Sequence, residues 1–264
     1  SSAEVVNQLH EKGFKVWPVV NDFTSDVDIE AILSSKTMRS RMISRLIEDA
    51  KYMKYDGINL DFETIKESSS DDYLQFIREL SVERRKNSVM LSVDNYPPRN
   101  YNSHYNINEQ AAYVDYIVLM NYDEHYAGSE KIGSVSSIGF VNTNLDLALK
   151  QVSADRLINA LPLYTRVWGT DASGNRVSSD TAAIKTAENL VNNNNGKKEW
   201  NEEAGQYIAT YSKDGIDYKI WMEDARSLQL KIDASKSRNI AGIGFWRLGY
   251  DTEDVWRLVS SYKN

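Results

Sequence analysis

The 264-residue chain has 31 lysines and arginines against 38 aspartates and glutamates, a formal charge of -7 with no long basic run. It therefore offers no electrostatic footprint for nucleic acid or an anionic membrane surface. It contains no cysteine, which excludes disulfides, thiolate catalysis and cysteine-ligated zinc.

No apolar run is long enough to cross a membrane, and residues 1–12 are too polar for the hydrophobic region of a signal peptide, so any export signal is expected upstream or already removed. Sixteen tyrosines and six tryptophans supply aromatic faces that suit both interior packing and stacking on sugars.

In chain order, apolar runs alternate with helical patterns, as in parallel strands joined by crossover helices. Strands are expected at Phe14–Val20, Asp56–Phe62, Ser88–Asp94, Asp115–Asn121, Leu157–Leu163 and Ala241–Trp246. Between the first two, Met42, Ile43, Leu46, Ile47, Ala50 and Met53 fall on one helical face. Tyr73, Phe76, Ile77 and Leu80 do so in the next crossover, with Ser70 or Asp71 placed to cap the helix start. Leu145, Ala148, Leu149 and Val152 mark another helix. Ala183, Ile184, Ala187, Leu190 and Val191 mark the helix after the fifth strand. Gln206–Tyr211 and Asp217–Met222, joined by the turn signal Lys213-Asp214-Gly215, predict a hairpin inserted before the last strand. Asp224 is placed to cap a helix that turns Ala225, Leu228 and Ile232 inward.

Ligands in such folds meet the C-terminal strand ends. Read in order, those ends carry Asn21 and Asp22, Asp61 and Glu63, Asp94, Tyr122 and Asp123, Tyr164 and Arg166, and Trp246 and Arg247. The sharpest segment runs from Asp56 to Glu63. Strand alternation puts Asn59, Asp61 and Glu63 on one face and Ile58, Leu60 and Phe62 on the other. Burying Asp61 beside Glu63 disfavours ionising both, so one carboxyl stays protonated near neutral pH and is able to act as an acid. Spacing alone leaves open the alternative that both are structural hydrogen-bond acceptors. The three histidines are widely separated, and Gly242-Ile243-Gly244 lacks the full dinucleotide fingerprint, so neither a metal nor a cofactor is expected.

The segment Asp56-Gly57-Ile58-Asn59-Leu60-Asp61-Phe62-Glu63 resembles the fourth-strand signature of family 18 glycoside hydrolases. Met120-Asn121-Tyr122-Asp123 resembles their sixth-strand signature, Leu161-Pro162-Leu163-Tyr164 the seventh, and Gly242-Ile243-Gly244-Phe245-Trp246-Arg247-Leu248-Gly249 the eighth. Tyr122-Asp123-Glu124-His125 and Trp246–Asp251 are most similar to the bacterial branch of spore-cortex and cell-wall N-acetylglucosaminidases.

That resemblance implies a TIM-type (β/α)8 barrel forming one catalytic domain over 1–264. The chain would begin just before strand 3, lack the first two strands, and carry a small insertion at about 200–223. It also implies substrate-assisted hydrolysis with retention, an exception to the two-carboxylate scheme. Glu63 would protonate the glycosidic oxygen, Asp61 would orient the N-acetyl group that attacks the anomeric carbon, and Tyr122 would bind its carbonyl. Asp123 would bind nearby hydroxyls or the acetamido group and Trp246 would floor the site, although by burial habit alone Trp246 reads as a core residue. Asn59, Tyr164, Arg166 and Asn21 are further substrate-binding candidates, and Asp56 and Gly57 belong to the structural motif.

Fuller chitinase patterns have Asp at position 59, and an Asn donor there is expected to hold Asp61 ionised. The implied substrate is an N-acetylglucosamine polysaccharide, peptidoglycan or spore cortex ahead of chitin. A chitinase and a non-catalytic chitin- or peptidoglycan-binding lectin are the alternatives. An extracellular, cell-wall or spore-envelope location follows, with a monomer expected unless a partner supplies the missing strands.

Overall fold

A computed structural model describes residues 3–23 and 27–262. Its internal contacts divide the chain into two units, Ser1–Leu119 with Ala148–Ile158, and Met120–Leu147 with Asn159–Asn264.

The first unit runs α1 (Ala3–Glu11), β1 (Val19–Asn21), α2 (Ile29–Ser34), α3 (Lys36–Met53), β2 (Gly57–Asp61), α4 (Ser70–Lys86), β3 (Met90–Asn95), α5 (Ile107–Tyr113) and most of β4 (Tyr116–Met120). The strands lie in the order β1-β2-β3-β4. All are parallel, with Val19 opposite Asn59, Asn59 opposite Ser92, and Ser92 opposite Tyr116. Alternation works as the sequence suggests: Ile58, Leu60 and Phe62 are buried together with Tyr73, Phe76, Ile77 and Leu80 of α4. The Phe62 ring stacks on Tyr73 at 5.6 Å and on Phe76 at 6.0 Å. Burial of each such side chain contributes roughly 1.5–3 kcal/mol.

Strand β1 is shorter than the expected Phe14–Val20. Val16 and Pro18 accept hydrogen bonds from the Asp56 and Asn59 N–H groups, but Pro18 has no N–H to return, so the ladder becomes regular only at Val19. Ser35 caps α3 through the Met38 N–H. At α4 the expectation fails: the capping position is Ser69, whose side chain makes no capping bond, while the Ser70 hydroxyl donates to the His104 carbonyl. Asp71 and Asp72 in the first turn favour the helix start through its dipole instead.

The second unit contains α6 (Ile138–Ala148), β5 (Leu157–Pro162), β6 (Tyr164–Thr170), β7 (Arg176–Ala183), α7 (Ile184–Asn193), β8 (Lys197–Asn201), β9 (Gln206–Lys213), β10 (Ile216–Met222), α8 (Ala225–Lys236), β11 (Gly242–Trp246) and α9 (Glu253–Ser261); α6 and β5 each have a residue or two in the first unit. Strand β5 neighbours β11, and Leu163 N–H donates to the Trp246 carbonyl at 2.7 Å. The expected hairpin exists as β9 and β10, turning through Asp214 and Gly215, both at positive φ.

It is not a short insertion, however. It forms two strands of a five-stranded antiparallel sheet ordered β7-β6-β10-β9-β8. The addition therefore starts at Tyr164 rather than near residue 200, and α7 is not a barrel crossover. Ala187 and Val191 of α7 pack against Val167, Ala182, Ala209, Tyr211, Ile220 and Met222 of this sheet. Strands β6, β7 and β8 were not expected: the side chains of β7 and β8 are mostly polar and exposed, leaving no apolar alternation to detect, and β6 follows β5 after the single residue Leu163. Asp224 caps α8 as expected, accepting from the Ser227 N–H at 2.8 Å.

Candidate functional site

The polar face of β2 in the first unit is anchored at its start. Asp56 accepts from the Val16 N–H at 2.7 Å and contacts His10 Nε2 at 2.9 Å. Burial pushes the Asp56 carboxyl up, but these bonds and nearby Lys15 outweigh it and hold it below its ordinary value. Gly57 is required by proximity, since a Cβ there would meet the Trp17 ring at 2.5 Å.

At the other end, Asp61 is 9% exposed and its Oδ1 has no hydrogen-bond partner among the described residues. Burial raises its pKa, the Asp22 charge raises it further, and a hydrogen bond with Glu63 opposes both. Glu63 is half-buried, and its Oε2 accepts from the Tyr96 hydroxyl. The Glu63 backbone is fixed by its N–H donating to Asp22 Oδ1 at 3.0 Å, and Asp22 Oδ2 also accepts from Thr64 N–H and Oγ1. Tyr105 Oη accepts from the Ile65 N–H at 3.2 Å, and burial raises its pKa.

Asn59 corrects one expectation. Its Nδ2 donates to Asp94 Oδ2 at 2.9 Å, and its Oδ1 accepts from Ser92 Oγ at 2.5 Å, so its amide serves Asp94 rather than Asp61. Asp94 is pushed up to about 7 by burial, against the Asn59 bond and with help from the Asp61 charge. Asp61 and Asp94 thus both favour their protonated forms more than a solvated carboxyl does, for the same reason. Asn21 ends β1 with an exposed side chain that accepts from the Phe23 N–H at 3.4 Å.

In the second unit, Asn121 at the end of the β4 segment is fully buried and bonded to Asn159, Asn144 and the Val141 carbonyl, while Ser136 donates to its carbonyl. This anchors the start of the segment from which half-buried Tyr122 and exposed Asp123 project. Asp123 has φ 56°, a left-handed conformation uncommon outside glycine and a recurrent mark of functional positions. Tyr164 Oη donates to Asp123 Oδ1 at 2.6 Å, and its ring packs edge-on to Tyr122 at 6.2 Å. Burial, then the Asp123 charge, holds the Tyr164 phenol far above its usual pKa.

Arg166, two residues on along β6, donates to the Ser179 carbonyl and hydroxyl and to Thr181. Trp246 is 48% exposed at the end of β11, so it is not the core residue that its size would suggest. Glu124 accepts from Ser137, and His125 makes a local 2.9 Å bond to the Ser134 carbonyl.

Tyr96 and Tyr105 lie outside the candidates read from the sequence. Tyr96 directly follows the C-terminal end of β3, a strand-end position that could have found it, while Tyr105 lies in a 3-10 turn, where no strand-end or periodicity signal marks it. Asp94 and Asp22 stand at strand ends, and that position was the available clue.

A family model described as glycosyl hydrolases family 18 matches residues 3–251. An uncharacterized glycosylase of Bacillus subtilis, YvbX, is 26% identical over 262 residues, covering 94% of this chain and 75% of that protein. The cortical fragment-lytic enzyme of the same organism is 26% identical over 252 residues, covering 92% of this chain and 58% of that protein. The chain thus spans little more than half of the latter. The crystal structure of a chitinase from Chromobacterium violaceum superposes with TM-score 0.89 at 20% identity, covering 98% of this chain and 83% of that one; this likeness establishes a shared α/β fold.

Proposed function

The chain belongs to glycosyl hydrolases family 18 as a glycosidase of that family, and from that premise we propose that it cleaves β-linked N-acetylglucosamine polymers by substrate-assisted, retaining hydrolysis. Peptidoglycan or spore cortex stands ahead of chitin as substrate, supported by the similarity to the cortical fragment-lytic enzyme. An extracellular, cell-wall or spore-envelope location fits that substrate.

The observation that carries the reading is the buried Asp61 carboxyl, raised by desolvation and hydrogen-bonded to Glu63. Two carboxyls sharing a proton in a poorly solvated place supply both an acid and a group able to accept from an amide. Glu63 protonates the leaving oxygen and then activates water. Asp61 accepts from the substrate's acetamido N–H and steadies the positive charge that develops when its carbonyl oxygen attacks the anomeric carbon. By match to the family motifs, Tyr122 donates to that carbonyl, Asp123 with Tyr164 binds hydroxyls, and Trp246 stacks beneath the reacting sugar. Asn59, Arg166 and Asn21 are assigned to substrate-facing positions, and the parallel strands to the third through eighth of a TIM-type barrel.

A chitinase is the second reading, favoured by the Chromobacterium violaceum likeness in fold. Parallel digestion of vegetative peptidoglycan, spore cortex and soluble chitin oligomers separates the two, with mass analysis of reduced products and Glu63→Gln as control. Fragments ending in reducible N-acetylglucosamine are expected from the first two. Ends in reducible muramic acid would overturn the proposal, and exclusive cleavage of chitin would replace it with the second reading.

A further inference from the structure

One face of the five-stranded sheet gathers Arg166, assigned above to a substrate-facing position, and two cations that the proposed chemistry leaves idle, Arg176 and Lys219. Arg166 and Trp168 stand on β6, Arg176 on β7, and Lys219 with Trp221 on β10. The register puts Lys219 opposite Trp168 and Arg176 opposite Thr170. Because strand side chains alternate, Tyr164, Arg166, Trp168 and Thr170 share one face, so the cations continue the line begun by the Tyr164–Asp123 pair.

The guanidinium carbons of Arg166 and Arg176 lie 5.8 and 5.6 Å from the ring centre of Trp168, and Lys219 Nζ lies 4.7 Å from that of Trp221. Trp168 itself is fully buried, its indole N–H donating to the Gly133 carbonyl at 2.8 Å. It is a fixed platform.

Among the described residues these cations are not ion-paired, although Asp217, which accepts from Ser212 Oγ at 2.5 Å, stands opposite Thr170 on the same face. Arg166 donates only to the neutral oxygens of Ser179 and Thr181, its Nε is buried without a partner, and Arg176 donates to the Ser129 carbonyl. Among the described residues none of the three pairs with a carboxylate, in a chain whose formal charge is -7. Stacking on an indole restrains a guanidinium plane while leaving N–H edges available. A restrained guanidinium edge fits a carboxylate better than any other sugar substituent.

We propose that this face is a subsite for a sugar carboxylate, the lactyl carboxylate of a muramic acid residue freed of its peptide, in the bound glycan. The inference rests on the peptidoglycan reading and adds to it the side chains that distinguish a carboxylate-bearing strand from chitin, which has no such group.

The test measures binding without turnover in the Glu63→Gln protein. The ligands are a peptide-free oligosaccharide of alternating N-acetylglucosamine and muramic acid, its lactyl methyl ester, and a chitin oligomer of equal length. At low salt the free acid binds roughly tenfold more tightly than the ester, the scale of one net hydrogen bond to a charged group. Adding Arg176→Gln and Lys219→Gln removes most of that difference, as does 0.5 M salt, while affinity for the ester stays the same and reports an intact fold. Equal affinity for acid and ester in the parent overturns the proposal. So does equal weakening of both in the variant, or no measurable binding of either. Failure of the wild-type protein to hydrolyse any of the three ligands counts against the hydrolytic reading alone, since the comparison of acid with ester is independent of turnover.

Discussion

Both units bury polar side chains, but they do so on opposite terms. In the second unit Asn121, Asn144, Asn159 and Ser235 are neutral and bonded to one another, and a fully buried ion pair, Lys231 with Glu223, is surrounded by donors from Gln206 and Ser227. In the first unit Asp61 and Asp94 are carboxyls whose Oδ1 atoms find no partner among the described residues. Buried polar groups are usually satisfied, and leaving one unmet costs about 1–3 kcal/mol. The asparagine–serine cluster and the Lys231–Glu223 pair of the second unit meet that requirement, although Arg166 Nε, Ser178 Oγ, Trp200 Nε1 and Thr252 Oγ1 of the same unit do not. The first leaves Asp61 Oδ1 and Asp94 Oδ1 open, and under the proposed mechanism a substrate amide would meet the Asp61 carboxyl. Chemistry is therefore expected from one set and stability from the other.

The largest test of that division is Glu63→Gln, which should lower turnover by roughly 10²–10⁴ while leaving the urea midpoint at or above the wild-type value. Near-normal hydrolysis of every N-acetylglucosamine polymer tried would end the assignment of Glu63 as acid. Next in size is Lys231→Met. Burial lowers the Lys231 pKa and raises that of Glu223, each opposed by the other's charge, so removing the lysine strands a buried carboxyl. Destabilisation of about 3–5 kcal/mol is expected, with most of it regained in Lys231→Met/Glu223→Leu. A small loss in urea titration would mean that the pair contributes far less than its burial implies.

A smaller, pH-dependent effect belongs to Asp94. Its folded pKa of about 7 lies above the ordinary 3.8, so its contribution is complete below about pH 4 and is lost as pH rises through 7. Between pH 5 and 7.5 this should remove about 2–3 kcal/mol of stability, and Asp94→Asn should flatten the slope. An unchanged slope in the variant would show that another group titrates there. The smallest change is expected from Tyr164→Phe. Asp123 is exposed, so water replaces much of the lost bond, and kcat/KM should fall only about three- to tenfold. A loss comparable to Glu63→Gln would place Tyr164 in the chemistry itself and blur the contrast between the units.

The sequence was most informative where burial and period coincide. The six strands of the first sheet were legible as short apolar runs, most clearly where they are buried, as at Ile58 and Leu60 of β2 or Ile117 and Leu119 of β4, and the Asp61–Glu63 face followed from alternation alone. It was least informative where side chains face water, as in β7 and β8, or where a loop brings a residue in, as with Tyr105. The Asn59 expectation missed its target because sequence spacing gives the face of a strand but not which cross-strand neighbour lies nearer; the register that sets Asn59 beside Ser92 decides that.

Asn59 has a consequence for proton traffic. With Ser92 donating to its oxygen and its own nitrogen donating to Asp94, the amide completes a chain of hydrogen bonds with fixed polarity. An amide neither takes up nor releases a proton in the working pH range, so this chain is a wire with an insulating link. A proton on Asp94 therefore has no route onward through Asn59, and the chain Ser92–Asn59–Asp94 does not include Asp61, which is hydrogen-bonded to Glu63 instead.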